Sequence, residues 1–365
     1  MKTIEPQTAL GLYSDSSAVY INACLLKTDG LDILGEPITL TRPYSAELRS
    51  DILALTYPQD FTDMGLLKSL DDRITAEHTA VAQELLAQNA RHIPHIDIVG
   101  YSNHTIRHYT PDKLVITLGN GEKLSKMLGI PVVDNFIKTD VKSGGTGGPI
   151  LPTFIEAITR SQPKPLAFLS LSGLSTLTSI GSLGELQAFD IGVGCLLLDR
   201  WIQRHTGLEM DFDGTIALKG KVDERLLAYL LKSPYLHQTP PKTLDRDAFN
   251  HLLEHVEGCS PADGAATLTA FIVQSIIQSK QFLTTEPTKW LLSGGGTLNP
   301  TLMLWLKKAL DGKAETVAEA GMTDYNLDAA GYAFLAVRFL MGLPITFPTT
   351  TGVDTPMTVG QYHNP

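Results

Sequence analysis

Asp190 lies where an apolar, strand-like stretch gives way to glycines. Residues 186–189 precede it, Gly192 and Gly194 follow, and an apolar helical run covers 195–201. The pattern predicts a strand that ends at Asp190, then a tight loop and a helix N-terminus. A carboxylate in that position is a candidate general base beside backbone N–H groups that can hold an anion. The alternative is an Asp that only caps the following helix, and the two interpretations are evenly balanced.

A second candidate is the glycine triplet Gly294, Gly295 and Gly296. It stands between a predicted buried strand, 290–293, and a helix that follows Asn299. Three glycines in succession are entropically costly unless something must approach the main chain, so we expect nucleotide contact here. A purely structural turn is the alternative.

The segment S-G-G-T-G-G-P, at 143–149, is too rich in glycine for regular structure. It lies between Asp140 and a helix that we expect to begin at Pro149. Close approach to a ligand is therefore favoured over a flexible linker. The chain has no GxxxxGK[ST] pattern, which excludes a Walker-type phosphate loop.

Two other polar clusters carry weaker signals. The turn at 14–17 offers hydroxyls and backbone groups to phosphate, but Asp15 would repel it, and composition alone favours an ordinary surface turn. His104 and His108 have the i, i+4 spacing of a metal site on a helix. The β-prone residues around them instead predict extended chain, which separates the rings, so no metal ligands are assigned.

Composition limits the class of protein. The chain has 365 residues, 43% of them hydrophobic and 19% charged, which predicts a soluble globular protein of two domains. Its net charge of −10 argues against nucleic acid as a partner. Apolar runs are too short for a membrane span, and residues 1–7 do not resemble a secretory signal. Three widely spaced cysteines indicate free thiols in a reducing cytoplasm.

Hydrophobic periodicity supplies the elements that must position these residues. Strands are predicted at 9–14, 18–26, 31–40, 96–100, 113–118, 130–133, 165–170, 174–180, 186–190 and 290–293. Helices are predicted at 44–55, 63–88, 122–128, 222–231, 246–256, 265–280 and 326–341. A hairpin followed by a strand and a small-residue loop occurs near the amino terminus and again at 165–194. Two such halves around a cleft are known from sugar kinases and actin-like ATPases, an analogy of fold alone.

The order of the motifs resembles the anhydro-N-acetylmuramic acid kinase family over nearly the whole chain. The matching segments are I-P-V-V-D-N-F-I-K-T-D-V-K-S-G-G-T-G-G-P-I-L-P (130–152), F-D-I-G-V-G (189–194), P-P-K-T (240–243), L-S-G-G-G-T-L-N-P (292–300), G-L-P (342–344) and T-T-G (350–352). Each segment is weak alone, whereas their order and spacing together are specific.

The resemblance implies an α/β fold of two actin-like (ribonuclease H-like) domains with a nucleotide and sugar cleft between them. It implies ATP-dependent phosphorylation of 1,6-anhydro-N-acetylmuramic acid with hydrolytic opening of the anhydro bridge, and Asp190 as the general base. The family pattern places sugar-binding residues at Asp140, Thr146, Gly147 and Thr105. It places ATP-binding residues at Ser14, Ser16, Ser17, Gly192, Gly194, Gly294, Gly295, Gly296 and Asn299.

The chain departs from the family in the first loop, which normally reads G-L-M-S-G-T-S-L-D-G. Asp15 replaces a glycine beside the phosphates, and Val19 replaces the Asp that helps to hold Mg²⁺. Two unit charges ~4 Å apart interact by ~4 kcal/mol at an effective dielectric constant of ~20, so Asp15 counts against ATP and Mg²⁺. Polar family positions are also changed at 100–105, 146, 170–176 and 191–195.

Two hypotheses remain. The first is an active sugar kinase that uses ATP, and the second is a non-catalytic descendant that binds a ligand or partner. The domains are expected at 1–129 with about 326–365, and at 130–325. The family further implies a homodimer, with the sugar and ATP as its small-molecule partners.

Overall fold

The chain forms two compact units, unit 1 (Met1–Arg160 with Asp324–Pro365) and unit 2 (Ser161–Thr323). The structure is a computed structural model that describes residues 5–55, 63–93, 95–109, 114–322 and 326–365. No helix within these ranges is long and apolar enough to cross a membrane.

Unit 1 is built on a six-stranded sheet. The strands of unit 1 are β1 (Gln7–Ser14), β2 (Tyr20–Thr28), β3 (Ile38–Pro43), β4 (Ile98–Tyr101), β5 (His104–Tyr109), β6 (Leu114–Leu118), β7 (Val132–Asp134) and β13 (Gln361–His363). Strands β1, β2 and β3 are antiparallel neighbours in the sheet, and β4 and β7 continue it parallel to β1. The short C-terminal strand β13 pairs antiparallel with β7, and β5 and β6 form a separate hairpin.

Unit 1 has six α-helices in the part of the chain that the structure describes. They are α1 (Ala46–Ala54), α2 (Met64–Asn89), α3 (Gly121–Leu128), α4 (Phe136–Lys142), α5 (Pro152–Ile158) and α12 (Leu327–Leu340). The start of α2 is fixed by Asp63, whose carboxylate accepts hydrogen bonds from the N–H groups of Gly65 and Leu66. Helix α12 packs directly on the sheet, because a Cβ atom at Gly11 would lie 1.7 Å from the carbonyl oxygen of Ala329.

Unit 2 has a five-stranded sheet. Its strands are β8 (Leu166–Leu171), β9 (Leu174–Ile180), β10 (Leu186–Val193), β11 (Lys289–Ser293) and β12 (Ala314–Thr316). Strands β8, β9 and β10 are antiparallel neighbours, and β11 and β12 continue the sheet parallel to β8. Apart from β13, the sheet of unit 1 has the same 3-2-1-4-5 order with one antiparallel and one parallel half, which confirms the predicted α/β class of two actin-like domains.

The helices of unit 2 enclose an apolar core around Trp201 and Trp290. They are α6 (Leu196–Thr206), α7 (Thr215–Lys219), α8 (Glu224–Leu230), α9 (Leu253–Val256), α10 (Pro261–Ser279) and α11 (Pro300–Ala309). The longest, α10, begins with Pro261 after Ser260, whose hydroxyl accepts a hydrogen bond from the N–H of Asp263.

The observed domain boundary differs from the predicted one. Residues 130–160 lie in unit 1 rather than in the second domain, because β7 pairs with β4 and completes the first sheet. The helix expected at Pro149 begins instead at Pro152, and that expected over 246–256 is reduced to a 3-10 turn and the short α9. Helices α4 and α7 and strands β12 and β13 were not predicted from the sequence.

Candidate functional site

Asp190 lies inside strand β10 and not at its end. The strand continues to Val193, with a bulge between Asp190 and Gly192 in its pairing with β9. The predicted strand end at Asp190 is therefore wrong, and so is the alternative that Asp190 caps helix α6. A glycine at 192 suits the bulge, which re-aims the strand without ending it.

The carboxylate of Asp190 is buried and held by three donors. Its Oδ1 accepts a hydrogen bond of 2.8 Å from the hydroxyl of Thr176. Its Oδ2 accepts one of 2.6 Å from the hydroxyl of Thr243 and one of 3.0 Å from the N–H of Leu244. A carboxylate has about four acceptor positions, two on each oxygen. Among the residues that the structure describes, Oδ1 has one donor and Oδ2 has two, so Oδ1 has room for one more.

Asp190 belongs to a row of four polar residues across the sheet of unit 2. Three register pairs form the row. Asp190 on β10 pairs with Thr176 on β9, and Thr176 pairs with Ser170 on β8. Ser170 in turn pairs with Ser293 on β11. Directly paired residues project to the same face of a sheet. The row therefore offers three hydroxyl groups and one carboxylate on one face.

The segment 240–244 runs beside β10. The N–H of Asp190 donates to the carbonyl oxygen of Lys242 at 3.1 Å, and Thr243 and Leu244 then reach the carboxylate. The hydroxyl of Tyr235 donates to the carbonyl oxygen of Asp190 at 2.9 Å. The segment 240–244, which contains the P-P-K-T motif, thus supplies two of the three donors to the carboxylate.

The ammonium group of Lys242 is enclosed by protein. Its Nζ donates to the carbonyl oxygen of Tyr235 at 3.0 Å and lies 4.7 Å from the centre of that ring. It lies 4.8 Å from the ring centre of Phe282 and 5.9 Å from that of Phe189. Burial lowers the pKa of Lys242 to about 8, and the nearby charge of Asp190 opposes that shift.

The backbone N–H groups of the loop after β10 donate hydrogen bonds to carbonyl oxygens of the protein. The N–H groups of Gly194 and Leu196 donate to the carbonyl oxygen of Gly173, and that of Cys195 donates to Ser172. These three N–H groups are therefore engaged within the protein, and contact of Gly192 and Gly194 with ATP stays a prediction. Burial, and secondarily the charge of Asp199, raises the pKa of the Cys195 thiol to about 12, so it is not a nucleophile at neutral pH.

The glycine triplet lies beside this loop. A Cβ atom at Gly296 would lie 3.0 Å from the Sγ atom of Cys195, and one at Gly294 would lie 2.5 Å from the carbonyl oxygen of Leu171. Gly294 also has a φ of +93°, in the region that favours glycine. Gly295 differs from both, because a Cβ atom there would have no neighbour within 4 Å.

Asn299 is the N-cap of helix α11. Its side-chain oxygen accepts a hydrogen bond of 3.0 Å from the N–H of Leu302. The side chain is largely buried, and a Cβ atom on Gly214 would lie 2.3 Å from the same oxygen. The predicted use of this oxygen for ATP therefore competes with a structural role as a helix cap.

In unit 1, the hydroxyls of the first turn are engaged internally. Ser14 is buried, its Oγ lies 3.0 Å from Nδ1 of His104, and it accepts a hydrogen bond of 2.9 Å from Tyr44. The hydroxyl of Ser17 donates to the carboxylate of Asp15 at 2.6 Å. The side chain of Ser16 is partly exposed.

The loop at 143–149 is organised by Asp140, which is fully buried. One carboxylate oxygen accepts a hydrogen bond of 2.8 Å from the N–H of Gly147, and the other accepts one of 2.8 Å from the hydroxyl of Thr351. The N–H of Thr146 donates to the carbonyl oxygen of Thr351 at 2.7 Å. Asp140 thus fixes the loop through its hydrogen bond with Gly147, and Thr351 of the T-T-G motif holds both Asp140 and Thr146.

Thr105 lies on strand β5, opposite Thr117 of β6. His104 and His108 lie on the same strand, which confirms the extended chain predicted there. Nε2 of His108 lies 2.7 Å from the carbonyl oxygen of Thr146. The strand therefore brings the predicted residues Thr105 and Thr146 into one part of unit 1.

The residues present do not fit the family's Mg²⁺ site. Val19 has no oxygen ligand to offer, and its neighbour in the turn, Asp15, is bonded to Ser17. Within the described ranges, no three His, Cys, Asp or Glu side chains converge on a possible metal site. Mg²⁺ is commonly held by one or two carboxylates together with the phosphates of its substrate.

Sequence reasoning missed two side chains that donate hydrogen bonds to Asp190, those of Thr176 and Thr243. Thr176 lies in the segment 170–176, where polar family positions are changed. The proline pair before Lys242 was a usable signal, because two prolines fix the path of a segment and so favour a precise contact.

The repeated sheets, and the aspartate held on the edge strand of the second sheet, define an actin-like protein of two related α/β domains. The chain belongs to the anhydro-N-acetylmuramic acid kinase family, whose model matches residues 7–364. This is a family of sugar kinases.

Relatives that carry the name anhydro-N-acetylmuramic acid kinase match along their whole length. The protein of Paramagnetospirillum magneticum is 36% identical over 358 residues, covering 98% of this chain and 99% of its own. That of Methylobacterium nodulans is 37% identical over 375 residues, covering 98% and 100%. That of Rhodospirillum rubrum is 37% identical over 355 residues, covering 97% and 93%.

Proposed function

We propose that the protein is a kinase that uses ATP to phosphorylate 1,6-anhydro-N-acetylmuramic acid while water opens the anhydro bridge. The observation that carries the proposal is the carboxylate of Asp190, oriented by three donors with one acceptor position open on Oδ1. Family membership supplies the substrate class, and the names of the relatives support the activity.

In this mechanism Asp190 acts as the general base. Its Oδ1 takes a proton from water, whose oxygen bonds to the anomeric carbon. The bond from that carbon to the bridging oxygen breaks, and the freed oxygen takes the γ-phosphoryl group of ATP, which leaves ADP. The three hydrogen bonds hold the base in place, since proton transfer depends on correct placement before it depends on basicity.

The nucleotide is proposed to lie against the main chain at Gly295, the open member of the triplet. Asp140 is proposed to act on the sugar indirectly, by holding Gly147 and Thr146 in a fixed loop. Mg²⁺, when bound with ATP, would neutralise phosphate charge.

We further propose that the protein is a homodimer and that it lies in the cytoplasm. Size-exclusion chromatography with light scattering would check the homodimer, and cell fractionation would check the location.

The test is turnover of the anhydro sugar with Mg·ATP, followed as ADP release and as the mass of the sugar phosphate. The variant Asp190→Asn keeps the shape but loses the base, so its rate should fall about 10²- to 10⁴-fold. Asp311→Asn is the matched control, because Asp311 lies in a turn with a φ of +54°, which Asn tolerates.

Retained turnover in Asp190→Asn would remove Asp190 from the mechanism. No turnover by the wild-type protein, together with no heat on titration with millimolar Mg·ATP, would contradict the kinase and favour a non-catalytic descendant.

A further inference from the structure

Lys242 and the three aromatic rings around its ammonium group form a cluster beside Asp190, which we call the lysine clamp. The rings are those of Tyr235, Phe282 and Phe189. Lys242 is 5% exposed, yet its charged end has a single hydrogen bond within the described chain, to the carbonyl oxygen of Tyr235. The remaining contacts are with the faces of aromatic rings. A buried ammonium group held in this way is costly to desolvate, so it calls for a role beyond packing.

The clamp joins three elements around the ammonium group of Lys242. Phe189 is the neighbour of Asp190 on β10, Tyr235 donates to the carbonyl oxygen of Asp190, and Phe282 follows helix α10. Lys242 itself belongs to the segment 240–244, which provides two of the three donors to the carboxylate. Whatever fixes Lys242 therefore fixes the orientation of Asp190.

We propose that Lys242 is a positioning residue for Asp190: its ammonium group, held by Tyr235, Phe282 and Phe189, clamps the segment 240–244 against β10 so that Thr243 and Leu244 orient the base. The inference rests on the proposed function, because it assigns Lys242 a part in the work of the general base. Lys242 contacts no reacting atom in this assignment.

The clamp depends on charge. A neutral amine has no cation–π attraction and makes a weaker hydrogen bond than an ammonium group. The titratable groups that face Lys242 are the carboxylate of Asp190 and the phenol of Tyr235, whose pKa is raised well above its usual value by burial and by Asp190. Tyr235 thus stays neutral while Lys242 titrates.

Since burial lowers the pKa of Lys242 to about 8, the charge is present below that pH and is lost above it. The wild-type kcat should therefore fall as pH rises through about 8. The KM for the sugar should change little, because Lys242 acts on the base and not on substrate binding.

The first experiment compares pH profiles of kcat for wild type, Lys242→Met and Lys242→Arg. Lys242→Met should lower kcat about ten-fold at pH 7 and remove the alkaline fall. Lys242→Arg keeps a charge that can stack on rings at every pH tested, so it should recover part of kcat and also lack the fall.

Lys289→Met is the matched control, since Lys289 is a half-buried lysine of the same sheet that pairs with Glu315. It should keep both the wild-type kcat and the alkaline fall. The inference is overturned if Lys242→Met keeps kcat within two-fold of wild type, or if the alkaline fall near pH 8 persists in Lys242→Arg.

A second experiment needs no turnover. The ammonium signal of Lys242 is followed by NMR in protein with labelled lysine, assigned by its loss in Lys242→Met. Because the charge of Asp190 favours the charged lysine, Asp190→Asn should move the titration midpoint of Lys242 to lower pH. An unchanged midpoint overturns the coupling.

The two failures can be told apart. If the wild-type protein has no turnover, the proposed function fails, and the NMR titration alone decides whether Lys242 and Asp190 are coupled. If turnover is found and Lys242→Met is unfolded by circular dichroism, the Lys242→Arg profile and the titration in Asp190→Asn decide the inference.

Discussion

Two aspartates of this chain have opposite relations to their surroundings. Asp190 is buried, yet each of its oxygens receives donors from the protein, so the cost of removing its charge from water is offset. Asp15 is exposed and has one short hydrogen bond, from Ser17. The first carboxylate is held in a fixed orientation, as the proposed general base requires, whereas the second is a surface charge near the end of β1.

The charge of Asp15 gives a prediction about nucleotide affinity. Asp15→Asn removes the charge and keeps the size, and Asp15→Gly also frees the hydroxyl of Ser17. Both should tighten Mg·ATP a few-fold in calorimetry, because an exposed charge ~4 Å from phosphate costs ~1 kcal/mol in water. Unchanged affinity in both variants would mean that Asp15 points away from the nucleotide.

Thr243 gives a second prediction at this scale. Thr243→Val has nearly the same shape but removes the donor to Oδ2 of Asp190, so kcat should fall, with a loss of unfolding free energy of about 1–3 kcal/mol. Thr243→Ser restores the hydroxyl and should recover most of the rate. Steady-state kinetics and chemical denaturation check both quantities, and equal rates in Val and Ser variants would contradict the role.

At the scale of elements, the triplet after β11 has unequal members. Gly294 and Gly296 are required by close packing against Leu171 and Cys195, whereas Gly295 faces open space. Close packing thus explains the entropic cost of glycine at Gly294 and Gly296, but it does not explain a glycine at 295. The central position is the one that a ligand can explain.

Alanine substitutions separate these roles. Gly294→Ala would place a Cβ atom 2.5 Å from the carbonyl oxygen of Leu171, so the variant should lose stability in thermal unfolding. Gly295→Ala should keep the wild-type melting temperature but weaken Mg·ATP in calorimetry. Wild-type affinity in Gly295→Ala would contradict nucleotide contact at this turn.

At the scale of the whole molecule, the two units are unequal in sequence. Unit 2 is one continuous segment, 161–323, whereas unit 1 needs both ends of the chain. Helix α12 packs on β1 and β4, where Gly11 and Gly100 leave room for its main chain. Without residues 324–365, the first sheet would expose that apolar face.

Fragments should behave accordingly. A fragment of residues 161–323 is expected to fold alone and to melt cooperatively, because its core is internal. A fragment of residues 1–160 should fail to fold unless residues 324–365 are supplied. Circular dichroism and thermal melts of the two fragments check this, and a cooperative melt of 1–160 alone would contradict it.

Much of the fold was predictable because local patterns and long-range packing agree. The strands at 9–14, 174–180 and 290–293 and the helices at 63–88 and 326–341 are confirmed within a few residues. The strands that were not predicted lie where strand pairing, and not hydrophobic periodicity, determines the structure. β13 is three residues long and mostly exposed, so its sequence carries no apolar signal, and it exists through its ladder with β7.

The site divides in the same way. Motif order along the chain determined the family, the candidate base at Asp190 and the glycine triplet, since these are properties of residue type and spacing. The sequence could not supply the donors to Asp190, because Thr243 lies 53 residues away and Thr176 lies on a neighbouring strand.

What the sequence alone determined, then, was which residues could do chemistry. Only the tertiary structure decided which of their atoms are free to do it. In the folded protein, the N–H groups of 194–196 donate to the turn after β8, and the side-chain oxygen of Asn299 caps a helix. One acceptor position on the carboxylate of Asp190 is left without a donor from the described residues. The physical reason is that each polar group needs a partner once it is buried, and long-range folding chooses that partner.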